Sequence, residues 1–145
     1  MGAMILQALQ KSYEKNGTFI LRKGELVSKV IRKKKVPNGY GVYLIFNGPN
    51  CVGKPIYIGL AGTMNQDGTM KPQGLAERLK AKQENMPRNR FFANYIEKQS
   101  PNGLSFAWFV TFQNGSGVLP AVAEARAIEQ FYEKYNKLPE LNKQY

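Results

Sequence analysis

The chain contains no histidine, one cysteine, one tryptophan, and only 10 acidic residues against 21 lysines and arginines. Each shortage narrows the field. A lone Cys51 cannot form an internal disulfide, and without a second cysteine or any histidine there is no ligand set to share a zinc ion. Disulfide-stapled scaffolds and zinc ribbons are therefore excluded, and Cys51, in a turn-rich stretch, reads as an incidental thiol. No apolar run approaches the length of a membrane span, and the first residues lack the basic segment and apolar core of a secretory signal. A cytoplasmic protein with no membrane partner is expected.

What is present points to a folded, strongly basic protein. A chain of 145 residues with 43% hydrophobic and 12% aromatic content can bury a real core as one domain. Its net charge of +11 exceeds what solubility requires and implies a polyanionic partner, with phosphate contacts whose strength should fall with salt. The plainer reading of the same charge is a solvated basic surface.

Hydrophobic spacing gives the order of elements. Ile5, Leu6 and Leu9 recur at helical spacing until Asn16-Gly17, Thr18 to Leu21 could form a short strand, and Gly24 to Lys35 reads as a helix with Leu26, Val27, Val30 and Ile31 on its apolar side. The run Arg32, Lys33, Lys34, Lys35 ends that helix. Gly41-Val42-Tyr43 and Tyr57-Ile58-Gly59 flank Asn47-Gly48-Pro49-Asn50, so they read as adjacent antiparallel strands joined by a long hairpin. A polar loop of about fourteen residues follows, long enough to suggest function. Leu75 to Glu84 then reads as a helix placing Leu75, Arg78 and Lys82 on one side.

Met86-Pro87 breaks that helix, with Arg88 and Arg90 next to it, and Phe91 to Lys98 reads as a further helix packing Phe91, Phe92, Tyr95 and Ile96. Ser105 to Phe112 has the pattern of a central strand beside the hairpin. Pro120 is placed to open a last helix of about Ala121 to Tyr135, with its apolar stripe expected at Ala121, Ala125, Ile128, Tyr132 and Tyr135. Glu124 and Glu129 border that stripe on opposite sides. A half-buried carboxylate there needs a cation or metal, and residue physics does not choose between the two.

The Gly41-Val42-Tyr43 and Tyr57-Ile58-Gly59 half-motifs, Arg78 in Gly74-Leu75-Ala76-Glu77-Arg78-Leu79, Glu129, and Asn142 in Leu138-Pro139-Glu140-Leu141-Asn142 stand in one order along the chain. In that order and spacing the sequence resembles the GIY-YIG nuclease superfamily over about Val36 to Lys143. The resemblance implies an α/β (α+β) domain over 37–145, with a small three-stranded mixed or antiparallel sheet flanked by helices, behind a partly helical, basic extension over 1–36. It selects Glu129 over Glu124 as the acidic position.

The activity it implies is metal-dependent hydrolysis of phosphodiester bonds in DNA, as a restriction-type, phage, mobile-element or repair endonuclease. Glu129 would be the ligand of one Mg²⁺ (or Mn²⁺), a hard oxygen donor for a hard ion. Arg78 would bind the scissile phosphate with its planar fork. Tyr43 would orient or deprotonate the attacking water, Tyr57 would hydrogen-bond phosphate or water, and Asn142 would hold the C-terminal segment or Glu129 in place rather than react. A tyrosine with an ordinary pKa near 10 needs help to act as a base at neutral pH, and Lys82 or Lys54 could give it. Several nucleases of the superfamily place a histidine one turn after the arginine; here Lys82 occupies that position. Arg32, Lys33, Lys34, Lys35, Lys54, Arg88 and Arg90 are the expected nucleic-acid contacts, with double-stranded DNA the expected partner.

Two further readings share these residues. One is a nucleic-acid-binding module that keeps the scaffold without cleavage. The other is a nuclease toxin of bacterial competition, which would be paired with an immunity protein. A monomer should have relaxed specificity, while cutting a palindrome would need a homodimer.

Overall fold

The computed structural model describes residues 2–80, 82–83 and 86–142, with side chains described over 5–80 and 88–142. Its elements run α1 (Gly2–Ser12), β1 (Asn16–Leu21), α2 (Val27–Lys33), β2 (Tyr40–Asn47), β3 (Tyr57–Ala61), α3 (Leu75–Leu79), β4 (Lys82–Gln83), β5 (Met86–Pro87), α4 (Arg88–Gln99), β6 (Leu104–Gln113), β7 (Ser116–Gly117) and α5 (Pro120–Tyr135). The main sheet is antiparallel, in the order β1-β6-β2-β3, with β7 folding back onto β6 as a fifth strand. An α+β architecture with helices on a central antiparallel sheet is thus established. The expected three-stranded sheet is too small: Asn16–Leu21 pairs along β6 from Asn16↔Phe109 to Leu21↔Leu104, so the first 36 residues supply a strand. That pairing was not legible because β6 is mostly apolar and carries no mark of a second neighbour.

The expected hairpin is present, with Tyr43 opposite Gly59 and Ile45 opposite Tyr57. Alternation along β2 then divides the core. Tyr43 and Ile45 join Phe106 and Val110 of β6 on one face, under Val27, Val30 and Ile31 of α2, Leu75 and Leu79 of α3, and Phe92, Tyr95 and Ile96 of α4. Val42, Leu44 and Phe46 join Ala107 and Phe109 on the other, against Ile5 and Leu9 of α1 and Ala123, Ala127, Ile128 and Phe131 of α5. Helices cover both faces. That is why β2 and β6 are continuous apolar runs rather than half-polar alternations.

Three helices differ from their expected form. Helix α2 starts at Val27, because Leu26 is extended with φ −98° and stands at its N-terminal boundary. Helix α3 stops at Leu79 and does not reach Glu84; the positions that would continue its buried Leu75/Leu79 stripe, Lys82 and Gln83, offer nothing apolar and enter a two-residue ladder with Met86–Pro87. The stripe of α5 is rotated. Pro120, Ala123, Ala127, Ile128 and Phe131 are buried, while Ala121 is exposed and Tyr132 is 54% exposed. The sequence offered two apolar faces on this helix, and the one bearing Phe131 buries more area against the sheet.

Close backbone approach fixes the motif glycines. A Cβ at Gly41 would lie 1.8 Å from the Phe109 carbonyl oxygen, at the irregularity where the β2–β6 register shifts between Tyr40 and Gly41. Neither backbone can give way without breaking ladder bonds. Replacement Gly41→Ala is expected to destabilise the fold by about 3 kcal/mol or more, read as a lowered midpoint in urea unfolding. A change within about 0.5 kcal/mol would contradict this packing.

Candidate functional site

The hairpin, α3 and α4 converge on the same face of the sheet. Gly59 lies directly across from Tyr43, and a Cβ there would come within 2.6 Å of the Tyr43 Cζ and Oη and of Tyr57 Cε2. The absent side chain lets the Tyr43 ring lie over β3, where it meets Tyr57 with centroids 5.9 Å apart. The two expected tyrosines are therefore a contacting pair. They are not equivalent: Tyr43 is fully buried, and Tyr57 is partly exposed. The Tyr43 hydroxyl makes no hydrogen bond among the described residues, so the tyrosine expected to handle water is the covered member and Tyr57 is the one that reaches the surface.

Arg78 stands at the end of α3, exposed. The start of that helix is secured by the segment leading into β2. The Leu75, Ala76 and Glu77 amides donate to the Gly39 carbonyl (2.8 Å), the Pro37 carbonyl (3.3 Å) and Asn38 Oδ1 (3.1 Å), satisfying donors a helix start leaves open. Gly74 is required there, since a Cβ would sit 1.9 Å from the Asn38 carbonyl oxygen. This junction also brings the basic run to the α3 side of the molecule. Arg32, Lys33, Lys34 and Lys35 are all exposed where α2 ends, two residues from Pro37.

Arg78 lines an open cleft of about 420 Å³ with Leu60, Gly62, Thr63, Lys71, Pro72 and Gln73. The polar loop expected to be functional forms one wall and is built as a small hairpin. Met64 bridges Met70, the Asn65 amide donates to the Thr69 carbonyl (2.7 Å), the Lys71 amide donates to the Thr63 carbonyl (2.8 Å), and Asp67 Oδ1 accepts from both the amide and hydroxyl of Thr69. The Thr69 donors hold the Asp67 carboxyl below its ordinary pKa. Lys71 was missed individually, although the loop containing it was marked by its length.

Arg88 was expected on the surface and is buried, 2% exposed, at the first position of α4. Its Nη1 donates to the Arg78 carbonyl (3.1 Å), and its guanidinium carbon lies 5.5, 5.7 and 5.7 Å from the ring centroids of Tyr43, Tyr57 and Phe92. Nothing in the local sequence distinguishes it from Arg90, which is exposed. Its surroundings come from β2, β3 and the end of α3, besides Phe92 of its own helix.

These surroundings set the Tyr57 phenol. Burial, and then the neighbouring Tyr43, push its pKa from 10.0 up to about 12, against the opposing pull of Arg88 and Arg78. Tyr57 is a protonated hydrogen-bond donor at neutral pH.

The C-terminal segment closes the edge of β3. The Ile58 amide donates to Asn142 Oδ1 (3.0 Å), Asn142 Nδ2 donates to the Ile58 carbonyl (2.9 Å), and the Leu141 amide donates to the Ile56 carbonyl (2.8 Å). Asn142 substitutes with its side chain for a missing strand. Tyr95 of α4 donates to Glu140 Oε2 (2.6 Å) and anchors the same segment; burial, then Glu140, raise the Tyr95 pKa.

Three expected participants are elsewhere. Glu129 is exposed on α5, which packs on the sheet face opposite Tyr43. It stands two residues from both Ala127 and Phe131, hence roughly opposite the buried stripe. It is not the half-buried carboxylate expected, and no hydrogen bond or ion pair among the described residues joins it to the tyrosines or Arg78. Lys54 lies over the Tyr135 ring at 5.4 Å, and Tyr135 packs with the α5 face, away from Tyr43. Lys82 is off the α3 helix, and its side chain lies outside the described residues.

As a metal ligand Glu129 has the right donor chemistry: an exposed carboxylate suits a hard divalent ion that keeps most of its water. Among the described residues no group of three His, Cys, Asp or Glu side chains converges. No described helix is long and apolar enough to cross a membrane.

No protein-family model, no curated protein and no solved structure matches this chain.

The raised Tyr57 pKa fixes a pH dependence. The folded state holds the phenolic proton more tightly than the unfolded chain, so this contribution to stability is complete below pH 10 and is lost as pH rises from 10.0 through about 12. Urea midpoints should fall between about pH 10 and 12 and fall less steeply in Tyr57→Phe. Identical slopes for the two proteins would refute the assignment.

Proposed function

We propose that this chain is a metal-dependent endonuclease of the GIY-YIG type that hydrolyses phosphodiester bonds in DNA. The observation that carries the reading is the Tyr43–Tyr57 pair meeting Arg78 and Arg88 on one face, beside a cleft that Arg78 and Lys71 line. Two cations at an open cleft suit a phosphodiester. Arg78 would take the non-bridging oxygens in its fork and hold its charge as the phosphate becomes more negative in the transition state. Lys71 would hold the adjoining backbone phosphate. Tyr57, protonated at neutral pH and partly exposed, would donate a hydrogen bond to phosphate or orient the water. Tyr43 would support it from below.

Glu129 would hold Mg²⁺ or Mn²⁺, and that ion, when bound, supplies charge neutralisation and water activation. Arg32, Lys33, Lys34 and Lys35 would add sequence-independent phosphate contacts along the α2–α3 side, and with them a steep loss of affinity in salt. The exposed Arg90 belongs with them.

A second reading has its own observation. Glu129 lies on the helix covering the opposite face from the tyrosines, and a binding module would not need it. Incubation with supercoiled plasmid in Mg²⁺, in Mn²⁺ and in EDTA separates the two. Nicking or linearisation that EDTA abolishes is expected, with rates reduced at least about a hundredfold in Arg78→Ala and in Glu129→Ala. Retained turnover in folded Glu129→Ala would remove the metal assignment. Absence of cleavage by the wild type, with salt-sensitive gel shifts, would establish the binding module instead.

A further inference from the structure

The chain lacks the histidine that could serve as a base, while a buried arginine that the proposed reaction does not use lies against both tyrosines. Resting on the nuclease reading for its purpose, though not for its test, we infer that Arg88 is a positioning residue. Its buried guanidinium is a fixed cation that offsets part of what burial does to the Tyr57 phenol, and it ties the end of α3 to the tyrosine pair.

The geometry supports both parts. Arg88 is 2% exposed, so its charge acts on its neighbours through protein rather than water, where the same separation carries a stronger interaction. A buried cation needs compensation, and the Arg78 carbonyl at 3.1 Å with the faces of Tyr43, Tyr57 and Phe92 within 5.7 Å provide part of it. Those contacts place the charge under the two rings. The bond to the Arg78 carbonyl fixes α3 relative to them, so the exposed Arg78 side chain and the Tyr57 hydroxyl are held to a common frame.

Tyr57 is the member that reaches the surface, whereas Tyr43 is covered. The groups that face it are Tyr43 from β2, Arg78 from α3 and Arg88 from α4. Of the two cations Arg88 exerts the larger downward pull and Arg78 the smaller, against burial and Tyr43. The carboxylate of the nearby C-terminal segment, Glu140, accepts the Tyr95 hydroxyl proton, and Asn142 at the β3 edge does not titrate. Arg78 would be drawn to the substrate phosphate during the reaction. Arg88, bound to backbone and rings, remains with the tyrosines throughout.

The test needs no nuclease activity. With 3,5-difluorotyrosine installed at position 57, which ionises at lower pH than tyrosine, the ¹⁹F shift is followed against pH in the otherwise wild-type protein, in Arg88→Lys and in Arg88→Met. Circular dichroism and thermal melts establish that each variant is folded. The midpoint is expected to rise in Arg88→Met and to stay close to wild type in Arg88→Lys, which keeps a cation without the planar fork. An unchanged midpoint in folded Arg88→Met would overturn the inference, as would a rise of equal size in Arg88→Lys. If Arg88→Met does not fold, Arg88→Gln carries the same comparison. Where the wild type cleaves DNA, Arg88→Met should lose kcat with little change in KM, and Arg88→Lys should recover part of it. An equal loss in Arg88→Lys would leave Arg88 a purely structural residue.

Discussion

Tyr43 can occupy its place only because Gly59, its partner across the strand, has no side chain; the ring covers backbone that any Cβ would have pushed it from. From this contact the rest of the face follows. Tyr57, two residues earlier on β3, is brought against the same ring, and together the two rings form a surface under which a guanidinium can be buried. The Arg88 charge then ties α4 to the carbonyl of Arg78 at the end of α3. A side chain at position 59 would disturb three elements at once.

The sheet makes this arrangement rigid. Its central strands β6 and β2 are covered by helices on both faces, so a register slip would exchange the contents of two cores rather than expose one. Among the described residues edge strand β3 has no neighbouring strand on its outer side, and Asn142 with Leu141 saturates its backbone at Ile56 and Ile58. The pairing ends there. Beyond it, at Leu60 and Gly62, the strand opens onto the cleft that Arg78 lines. The C-terminal segment thus protects the part of the edge that would otherwise invite association and leaves free the part next to the cations.

Charge is distributed between two environments with different consequences. The run Arg32 to Lys35 and Arg90 are exposed and screened, suited to long-range attraction of a polyanion that weakens with salt. Arg88 is withdrawn from solvent and acts only on what touches it. A net charge of +11 records both as equal units. Their roles differ because one set faces water and the other faces aromatic rings.

By itself the sequence determined the α+β class, the motif hairpin that puts Tyr43 and Tyr57 on adjacent strands, the central position of β6 and the start of α5 at Pro120. Those features rest on local signals: turn residues, β-rich runs, a proline at a helix start. Tertiary packing decided the rest. It chose which apolar face of α5 is buried and so left Glu129 in solvent, ended α3 before Lys82, recruited β1 to the sheet, and separated buried Arg88 from exposed Arg90 only two residues away. In each case the deciding quantity was the area or charge compensation offered by a partner distant in the chain, a property that no window of sequence contains.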